Sequence, residues 1–538
     1  MLIGTMVLVS PPSIAAARQA GPLQVETIRL ERALELAEAR NQQITVAQAG
    51  VRRAEGNEQQ ARSGFFPQLF GSASYDRTLD SEFQGIFGAA GPVCDPFSLR
   101  PGASIAERVG EIERAIDCGA IGGFGGGNLE DLPFGRENAY RVNLSFSQAL
   151  YTGGRLTGSR ALALAGREAA ELGLASTRAQ LALDVTQSFF DAVLSDRLVA
   201  IAEATLAQAE ATLAQAQLSR QAGRVPEFEL LRARVARDNQ RPLVIRARSQ
   251  RMLAYLRLKQ LLAMPPEANV QLLADLSDPN LPVPAPFVAG VAEIDARRAI
   301  AAEERAAVRQ AATVVRARSA ALKVARSGRL PTLSLSSSYG RVAYQGVPAL
   351  NDFRTNWTIG AIAEVPILTG GRLRGAEAAA RADLAEAEAR LELVKQVALI
   401  DTQAAIEELD AARAAWEASA GTVEQARRAY EIAELRYREG ISTQLELSDA
   451  RLLLEQAQVN QARAARDVQV ARAHVALLPD LPLGGSSVGA PSEGQSPATM
   501  ATLPGGGQQQ VATAGTAQTG GWQSPGTSTA AIARQPPR

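Results

Sequence analysis

Apolar and polar residues alternate in three short segments of the chain, and a fourth segment shows the pattern more weakly. YRVNLSFSQAL (140–150), LPTLSLSSSYGR (330–341) and WTIGAIAEVPI (357–367) have this period of two, whereas 67–77 is the least regular. The apolar positions are Tyr140, Val142, Leu144 and Phe146, then Leu333, Leu335 and Tyr339, then Trp357, Ile359, Ala361, Ala363 and Val365. A period of two predicts β-strands with one apolar face. Such strands form transmembrane barrels but also half-buried sheets of soluble proteins.

Two long Ala-rich segments, 155–221 and 372–438, contain no proline and few glycines. About 67 helical residues at 1.5 Å each would extend on the order of 100 Å. Apolar residues recur at sevens in the second segment, as in a coiled-coil seam. They are Leu384, Leu391, Ala398, Ala405 and Ala412. Gly223 and Gly440 interrupt the helical pattern, so each long helix is expected to end in a hairpin.

Further helical segments are predicted on either side of these elements. They cover 227–262 and 443–477 after the glycines, and 29–62 and 293–326 before the strands. The predicted fold is therefore mainly α with a small β part.

The chain contains two copies of one unit. RSGFFPQLFGSASYDR (62–77) recurs as RSGRLPTLSLSSSYGR (326–341), at an offset of 264 in the numbering. YTGGRLTGSR (151–160) recurs as LTGGRLRGAE (368–377), at an offset of 217. The two offsets differ by 47 positions, which places an insertion in the first copy at about 80–135. Insertions of this kind belong on exposed loops.

The repeat defines the expected domains. The first unit covers 21–290 and the second 291–478, each with a helix, a strand hairpin and a long helical hairpin. Residues 1–20 resemble a signal peptide, although a basic start is missing, and 479–538 have the Gly, Ser, Pro and Gln composition of a disordered tail.

The duplicated GGRLxG motif allows two interpretations. A glycine cluster between a strand and a helix can hold a phosphate, but no compact βαβ unit surrounds either copy. The other interpretation is a strand-to-helix turn, which needs the backbone freedom of glycine. We therefore expect turns at Gly153, Gly154, Gly370 and Gly371.

Composition excludes several classes of protein. Fifty-six basic and 56 acidic residues give no net charge, so nothing indicates a nucleic-acid partner. His474 is the only histidine, and no metal site, cofactor site or nucleophile–base pair is visible, so an enzyme is not expected. Cys94 and Cys118 lie in the insertion and form either a disulfide that fixes a loop or two unpaired thiols.

No apolar run is long enough for a transmembrane helix, so a membrane could be crossed only by strands closed into a barrel. Four strands cannot close one, because single-chain barrels need at least about eight. Two, three or four copies of the chain would have to pool their strands, and the residues alone do not choose among these numbers.

With these motifs in order, the chain over 29–478 resembles the TolC-like outer-membrane efflux proteins of Gram-negative bacteria. The resemblance implies a homotrimer with a 12-stranded barrel in outer-membrane lipid and a hollow α-barrel across the periplasm. It also implies a periplasmic adaptor and an inner-membrane pump or ABC transporter as partners, in an efflux or type I secretion system. Catalysis is not part of that function.

The resemblance also implies roles for the helical hairpin tips, which close the periplasmic entrance and dock the adaptor. The expected docking residues are Gly223, Arg224, Val225 and Pro226, together with Gly440, Ile441, Ser442 and Thr443. Alignment on Gly440 places the gate at Tyr437, Ser442, Glu446 and Asp449. Ser442 stands where such proteins carry an arginine, so a Tyr–Arg lock is not expected. Solvated helix charges are the other explanation of the two acidic residues.

One alternative function remains at this stage. An envelope-spanning adaptor or coiled-coil scaffold would also have long helical hairpins, although such proteins lack a duplicated unit with alternating strands. The sequence does not identify the cargo, the adaptor or the pump.

Overall fold

The computed structural model describes residues 26–80, 95–118, 138–276, 280–297, 302–344 and 353–483. The predicted signal peptide, Cys94 and all but the first five residues of the predicted tail lie outside these ranges. The strands are β1 Glu26–Ile28, β2 Gln68–Arg77, β3 Asn138–Tyr151, β4 Val270–Leu272, β5 Thr332–Ala343 and β6 Arg354–Glu364. The α-helices are α1 Leu30–Arg40, α2 Gln42–Ser63, α3 Ile105–Asp117, α4 Arg155–Gln221, α5 Glu227–Leu261, α6 Val288–Arg297, α7 Ala306–Ser327, α8 Arg372–Arg438 and α9 Gln444–Leu477.

The two long helices confirm the helical prediction and the repeat. Both α4 and α8 have 67 residues, and their first residues, Arg155 and Arg372, are separated by the same offset as the two GGRLxG motifs. The shorter helices α5 and α9 begin at that offset too. Each unit therefore folds into the same long helical hairpin.

Four strands form one antiparallel sheet in the order β2-β3-β5-β6. Its register repeats with the sequence: Gln68 pairs with Ser147 in the first unit, and the equivalent Thr332 pairs with Glu364 in the second. Within the described part of the chain, β2 and β6 each pair with a single strand, so the sheet has two open edges.

The predicted alternation is confirmed by the pairing between strands. Leu144 lies opposite Tyr339, which lies opposite Trp357, so the apolar positions of three strands share one face. Tyr339 and Trp357 meet edge to face, with ring centroids 6.4 Å apart. The other face is lined by Ser, Asn and Thr, and there the Ser338 hydroxyl donates to Asn143 Oδ1 over 2.7 Å.

The helices extend the sheet in the same order. α2 leads into β2, β3 into α4, α7 into β5 and β6 into α8, and neighbouring helices in this series pack side by side. At the far end from the sheet, α5 packs beside α4, and α9 packs between α4 and α8. None of the described helices carries an apolar stretch that could span a bilayer.

The main hydrophobic core lies at the middle of the long helices. Phe189 and Phe190 of α4, Leu262 after α5 and Trp416 of α8 belong to one buried cluster, and Ile28 of β1 joins it. The short strands β1 and β4, which were not predicted from the sequence, pair in parallel beside this core. The buried cluster and the strands β1 and β4 therefore hold the helices together at the middle of their length.

The helical prediction for 29–62 is wrong at Asn41, and the one for 293–326 is wrong at Arg305, which follows a 3₁₀ turn at Ala302–Glu304. Residues 298–301 of the second prediction lie outside the described residues. Asn41 separates α1 from α2, and its side chain caps α2 by accepting a hydrogen bond from Gln43 N over 2.8 Å. Arg305, the equivalent residue of the second unit, has the same extended backbone before α7. Its fully buried guanidinium donates to Asp401 (2.7 Å) and Thr402 (2.9 Å).

The segment predicted as a loop insertion contains helix α3. Ser104 and Glu107 form a reciprocal capping box at its start, a local signal for a helix that alternation and repeat analysis do not detect. Cys118 follows this helix and is disulfide-bonded.

Both GGRLxG motifs lie between a strand and a long helix. Gly153 and Gly154 have φ angles of 61° and 92°, and Gly370 and Gly371 have 57° and 85°. The two turns differ in how closely other atoms approach them. In the first turn, a Cβ on Gly153 would lie 2.6 Å from Leu330 Cβ and 3.0 Å from Ser327 O. This turn therefore excludes a side chain on conformational and on steric grounds.

Gly153→Ala is expected to lower the free energy of unfolding by at least about 2 kcal/mol, since the left-handed conformation alone costs about 1–2 kcal/mol. Chemical denaturation of the purified protein measures the change. Gly166→Ala is the control, because Gly166 lies inside α4 with open space around it. That substitution should be neutral or stabilising, and an equal loss at both positions would contradict the account.

Candidate functional site

The two hairpin tips have the same backbone geometry. Gly223 and Gly440 adopt φ angles of 71° and 73°, in the region that glycine favours. The following residue donates back across the helix end in both tips: Arg224 N to Ser219 O over 2.9 Å, and Ile441 N to Arg436 O over 2.8 Å. This double turn, the Schellman motif, lets α4 and α8 reverse direction within a few residues.

Small apolar clusters hold each tip together at equivalent positions. In the first hairpin Leu213, Ala216 and Ala233 are buried with Leu230 beside them. In the second, the equivalent positions are occupied by Tyr430, Ala433, Ala450 and Leu447. The exchange of Leu213 for Tyr430 brings a phenol into the second cluster.

Gln444 connects the two hairpins. Only 1% of this residue is exposed. With its amide nitrogen toward Glu229, it donates to Glu229 Oε2 (3.2 Å) and Glu229 O (2.9 Å), and its oxygen accepts from Ala233 N (2.9 Å). One side chain of α9 therefore binds one turn of α5. Gln444 was not predicted from the sequence, because only charges and the family's arginine were sought at this tip.

The predicted gate residues lie at the second tip in different environments. Tyr437 is half-buried, and burial, reinforced by the Glu229 carboxylate, raises its pKa. Glu446 pairs with Arg436 across the turn, at 3.5 Å. Asp449 is exposed, and within the described residues it has no ion-pair partner within 4.0 Å. The Ser442 hydroxyl is buried and has no hydrogen-bond partner there.

Two further groups near this tip were not predicted. Arg451 is 9% exposed and lies near Tyr430 and Glu455. Burial lowers the pKa of Arg451 and raises that of Glu455, so both charges are held in a poorly solvated position. The only sequence signal was an arginine on the apolar side of α9, between Leu447 and Leu454.

Most of the predicted docking residues are exposed. Gly223, Arg224 and Pro226 are exposed in the first tip, and Gly440, Ile441 and Thr443 in the second. Val225 and Ser442 are partly covered. An exposed isoleucine at the end of a helical hairpin gives this surface an apolar contact point.

Other chemical candidates lie far from the tips. His474 Nδ1 is 3.8 Å from Glu408, and the described ranges contain no cluster of His, Cys, Asp or Glu that could hold a metal ion. Cys118 is bonded at the end of α3, and its predicted partner Cys94 lies outside the described residues.

Comparison with known proteins adds three findings. The family described as "Outer membrane efflux protein" matches residues 116–264 and 299–478, more than half of the chain. The pyoverdine export outer membrane protein OpmQ of Pseudomonas putida is 28% identical over 333 residues, which cover 60% of this chain and 67% of that protein.

Among solved structures, the CmeC outer membrane channel of Campylobacter jejuni has a TM-score of 0.64 at 16% identity, over 85% of this chain and 87% of that chain. The open state of the MtrE outer membrane channel of Neisseria gonorrhoeae has a TM-score of 0.63 at 18% identity, over 85% and 89%. At these identities the similarity is one of fold.

Gln444→Ala should loosen the contact between the hairpins, because it removes the hydrogen bonds of the side-chain amide to Glu229 and Ala233, together worth about 1–3 kcal/mol. We expect hydrogen exchange to rise roughly tenfold in the peptides around Ala233 and Gly440. Mass spectrometry of the exchanged protein measures this.

Gln456→Ala is the matched control for that experiment. Gln456 lies on the same helix and is exposed, and its amide bonds only Asn460, over 2.8 Å. Unchanged exchange at both tips in Gln444→Ala would show that the amide does not hold the hairpins together.

Proposed function

The chain belongs to the outer membrane efflux protein family, and we propose that three copies of it form the outer-membrane exit duct of a tripartite export system. As a member of that family it is an efflux channel located in the outer membrane and extending into the periplasm. Such channels form trimers and work with an adaptor and an inner-membrane pump.

The two open edges of the sheet support assembly most directly. Within the described ranges β2 and β6 each pair with a strand along one side only, and lipid offers the backbone groups of the other side no hydrogen bonds. Three copies would contribute 12 strands, and pairing β6 of one copy with β2 of the next leaves no edge. The apolar face with Leu144, Tyr339 and Trp357 then faces lipid, and the serine-rich face lines the duct.

The repeat predicts the register of this pairing between copies. Inside one copy, β3 of the first unit pairs with β5 of the second, with Leu144 opposite Tyr339. By the offsets of the two repeated motifs, the residue equivalent to Leu144 is Ala361 and the residue equivalent to Tyr339 is Tyr75. If the units alternate evenly around the ring, Ala361 lies opposite Tyr75 of the neighbouring copy.

The helices support the same arrangement. Inside one copy, α9 packs against α4. The equivalent contact between copies would join α5 to α8 of the neighbour. Helix α5 presents an exposed apolar stripe along its length for such a partner, with Phe228, Leu231, Val235, Ile245 and Met252. Leu399 and Ile400 of α8 are likewise exposed.

Paired cysteines test the register. We expect Ala361→Cys with Tyr75→Cys to give covalent trimers with a short thiol crosslinker, because Cβ atoms of directly opposite residues lie about 5 Å apart. Within one copy the two positions are three strands apart and offset by eight residues along the strands, about 30 Å in all, so a link must join different copies. Denaturing electrophoresis of outer-membrane fractions measures the product.

Ala361→Cys with Gly71→Cys is the control, because it shifts the second cysteine four residues along β2, about 13 Å. Equal crosslinking of both pairs, or none in a protein that has reached the outer membrane, would contradict the proposed ring.

The second tips supply the proposed gate. Around three copies, Glu446 and Asp449 would form acidic rings at the periplasmic entrance, which attract cations and repel anions. Arg436 offsets the charge of Glu446, at 3.5 Å, so Asp449 provides most of the field. Gln444 holds the two hairpins of each copy together. Opening of the gate requires the hydrogen bonds of Gln444 to break in all three copies.

Asp449→Asn should therefore reduce the preference of the reconstituted channel for cations more than Glu446→Gln does. Loss of one exposed charge changes the local energy of an ion by about 1 kcal/mol, roughly fivefold in the permeability ratio. Reversal potentials in a salt gradient measure the ratio. Identical behaviour of both variants and the unmodified protein would mean that these carboxylates are ordinary solvated charges.

Adaptor docking is proposed at the accessible residues of the tips, from Gly223 to Pro226 and from Gly440 to Thr443. For the cargo, similarity to a protein named for pyoverdine export supports small molecules over proteins. The duct requires no chemical change of that cargo, since its working parts are a pore, a gate and a docking surface.

A further inference from the structure

An unusual cluster of charges lies where the sheet meets the helices in the second unit. Glu377 of α8 is bound by three arginines: Arg326 at 3.3 Å, Arg329 at 2.9 Å and Arg381 at 2.6 Å. The carboxylate is 7% exposed, whereas the three arginine side chains are 55%, 45% and 61% exposed. A single buried acid thus gathers three accessible guanidinium groups.

The cluster has excess positive charge. One carboxylate neutralises one arginine, and like charges held this close repel one another unless an anion offsets them. Each guanidinium has five N–H donors, and only a few of the fifteen face Glu377. The remaining donors are available at the surface to a group with several acceptor oxygens, such as a phosphate.

The fold does not require this cluster, because the first unit builds the same junction without it. The first-unit residues equivalent to Arg326, Arg329, Glu377 and Arg381 are Arg62, Phe65, Arg160 and Leu164. Glu377 is thus replaced by a base, and two arginines by apolar residues. Strand β3 nevertheless passes into α4 through the same glycine turn. The charges of the second unit therefore need an explanation other than folding.

The position of the cluster indicates its partner. Arg326 and Arg329 lie at the end of α7 and Arg381 lies on α8, so the cluster bridges two packed helices and does not lie on the open edge. Leu330 and Leu333 follow Arg329 directly and are exposed, and Leu333 belongs to the apolar face of the sheet. Ile367 and Leu368, just before α8, are 95% and 93% exposed. Basic side chains thus adjoin the periplasmic border of the surface that meets lipid.

We infer that Arg326, Arg329 and Arg381 bind the phosphate of an anionic phospholipid in the periplasmic leaflet of the outer membrane. Glu377 acts as a positioning residue that holds the three guanidinium groups together. Acyl chains of the bound lipid extend along Leu330 and Leu333 toward the apolar face. Three such sites in the assembled ring fix the depth of the duct in the membrane. The inference rests on the proposed membrane insertion of the sheet and not on the cargo, gate or adaptor.

The test compares the full-length channel with Arg326→Gln/Arg329→Gln, reconstituted in nanodiscs of phosphatidylethanolamine with phosphatidylglycerol. This variant keeps the Arg381–Glu377 pair, so the buried carboxylate retains a partner. Native mass spectrometry after extraction counts the lipids that remain bound. Each arginine near an anionic surface contributes about fivefold, so phosphatidylglycerol binding should weaken on the order of 25-fold.

Arg316→Gln/Arg318→Gln is the matched control. Both residues are exposed arginines of α7 in ion pairs, with Glu168 at 2.6 Å and Asp383 at 3.5 Å, but they lie further from the sheet. This variant should retain phosphatidylglycerol as the unmodified channel does. Equal loss in both variants would mean that only general charge matters, and the inference would be wrong.

Other outcomes also contradict it. Unchanged lipid binding with altered ion selectivity in Arg326→Gln/Arg329→Gln would place the cluster in the duct. Dissociation of the variant into single chains would place it between copies, and equal retention of both lipids would show adventitious binding. Failure of the unmodified protein to reach the outer membrane would refute the proposed function instead, so the two failures are distinguishable.

Discussion

Backbone hydrogen bonding at the two open edges of the sheet is the constraint on which the rest of the structure depends. A strand in lipid must pair on both sides, because the hydrocarbon offers its N–H and C=O groups no alternative. Strands β2 and β6 have a partner on one side each within the described chain. The sheet of one chain therefore does not satisfy the backbone hydrogen bonding of its two edge strands. Helices α5 and α8, which lie at the two ends of the series of packed helices, also expose apolar residues such as Phe228 and Ile400.

Duplication of the unit allows the open edges of the sheet to be paired with few new kinds of contact. The two units share one register within the sheet and one length of long helix. The backbone that a unit presents to the other unit of its chain therefore has the same arrangement as the backbone it would present to the next chain. Ala recurs along α8 at Ala387, Ala398 and Ala405, where a larger side chain would keep the helices apart. Many similar interfaces can therefore be built from one packing pattern.

Most of the architecture could be predicted from the sequence, because it depends on periodic patterns. Alternation gave the faces of the strands, since a period of two has one geometric meaning, and the absence of proline gave the extent of α4 and α8. Prediction failed where a single residue decides. Asn41 ends α1 by capping the next helix, and Arg305 has an extended backbone before α7 and a buried guanidinium, yet neither interrupts the helical composition around it.

The candidate gate was predictable only in part for a related reason. Alignment on Gly440 located the tip, because the turn itself requires glycine. It could not identify Gln444, whose role depends on the backbone of α5, a helix that belongs to the other unit and lies far away in the sequence. Nor could it assign unequal weights to Glu446 and Asp449, because the difference comes from Arg436 across the turn.

The two units differ in the middle of the long helices as well as at their ends, since the core residues Phe190 and Val193 of α4 correspond to Glu407 and Asp410 of α8. At the tips and at the junction with the sheet, side chains meet water, lipid or other proteins, and the units are free to diverge. Tyr430 replaces Leu213 and Gln444 replaces Glu227 at one end, and Glu377 replaces Arg160 at the other. Six equal units would give a uniform tube. Divergence at its two ends makes the tube three-fold, so that Gln444 joins two different hairpins and the arginine cluster occurs at one junction of each chain.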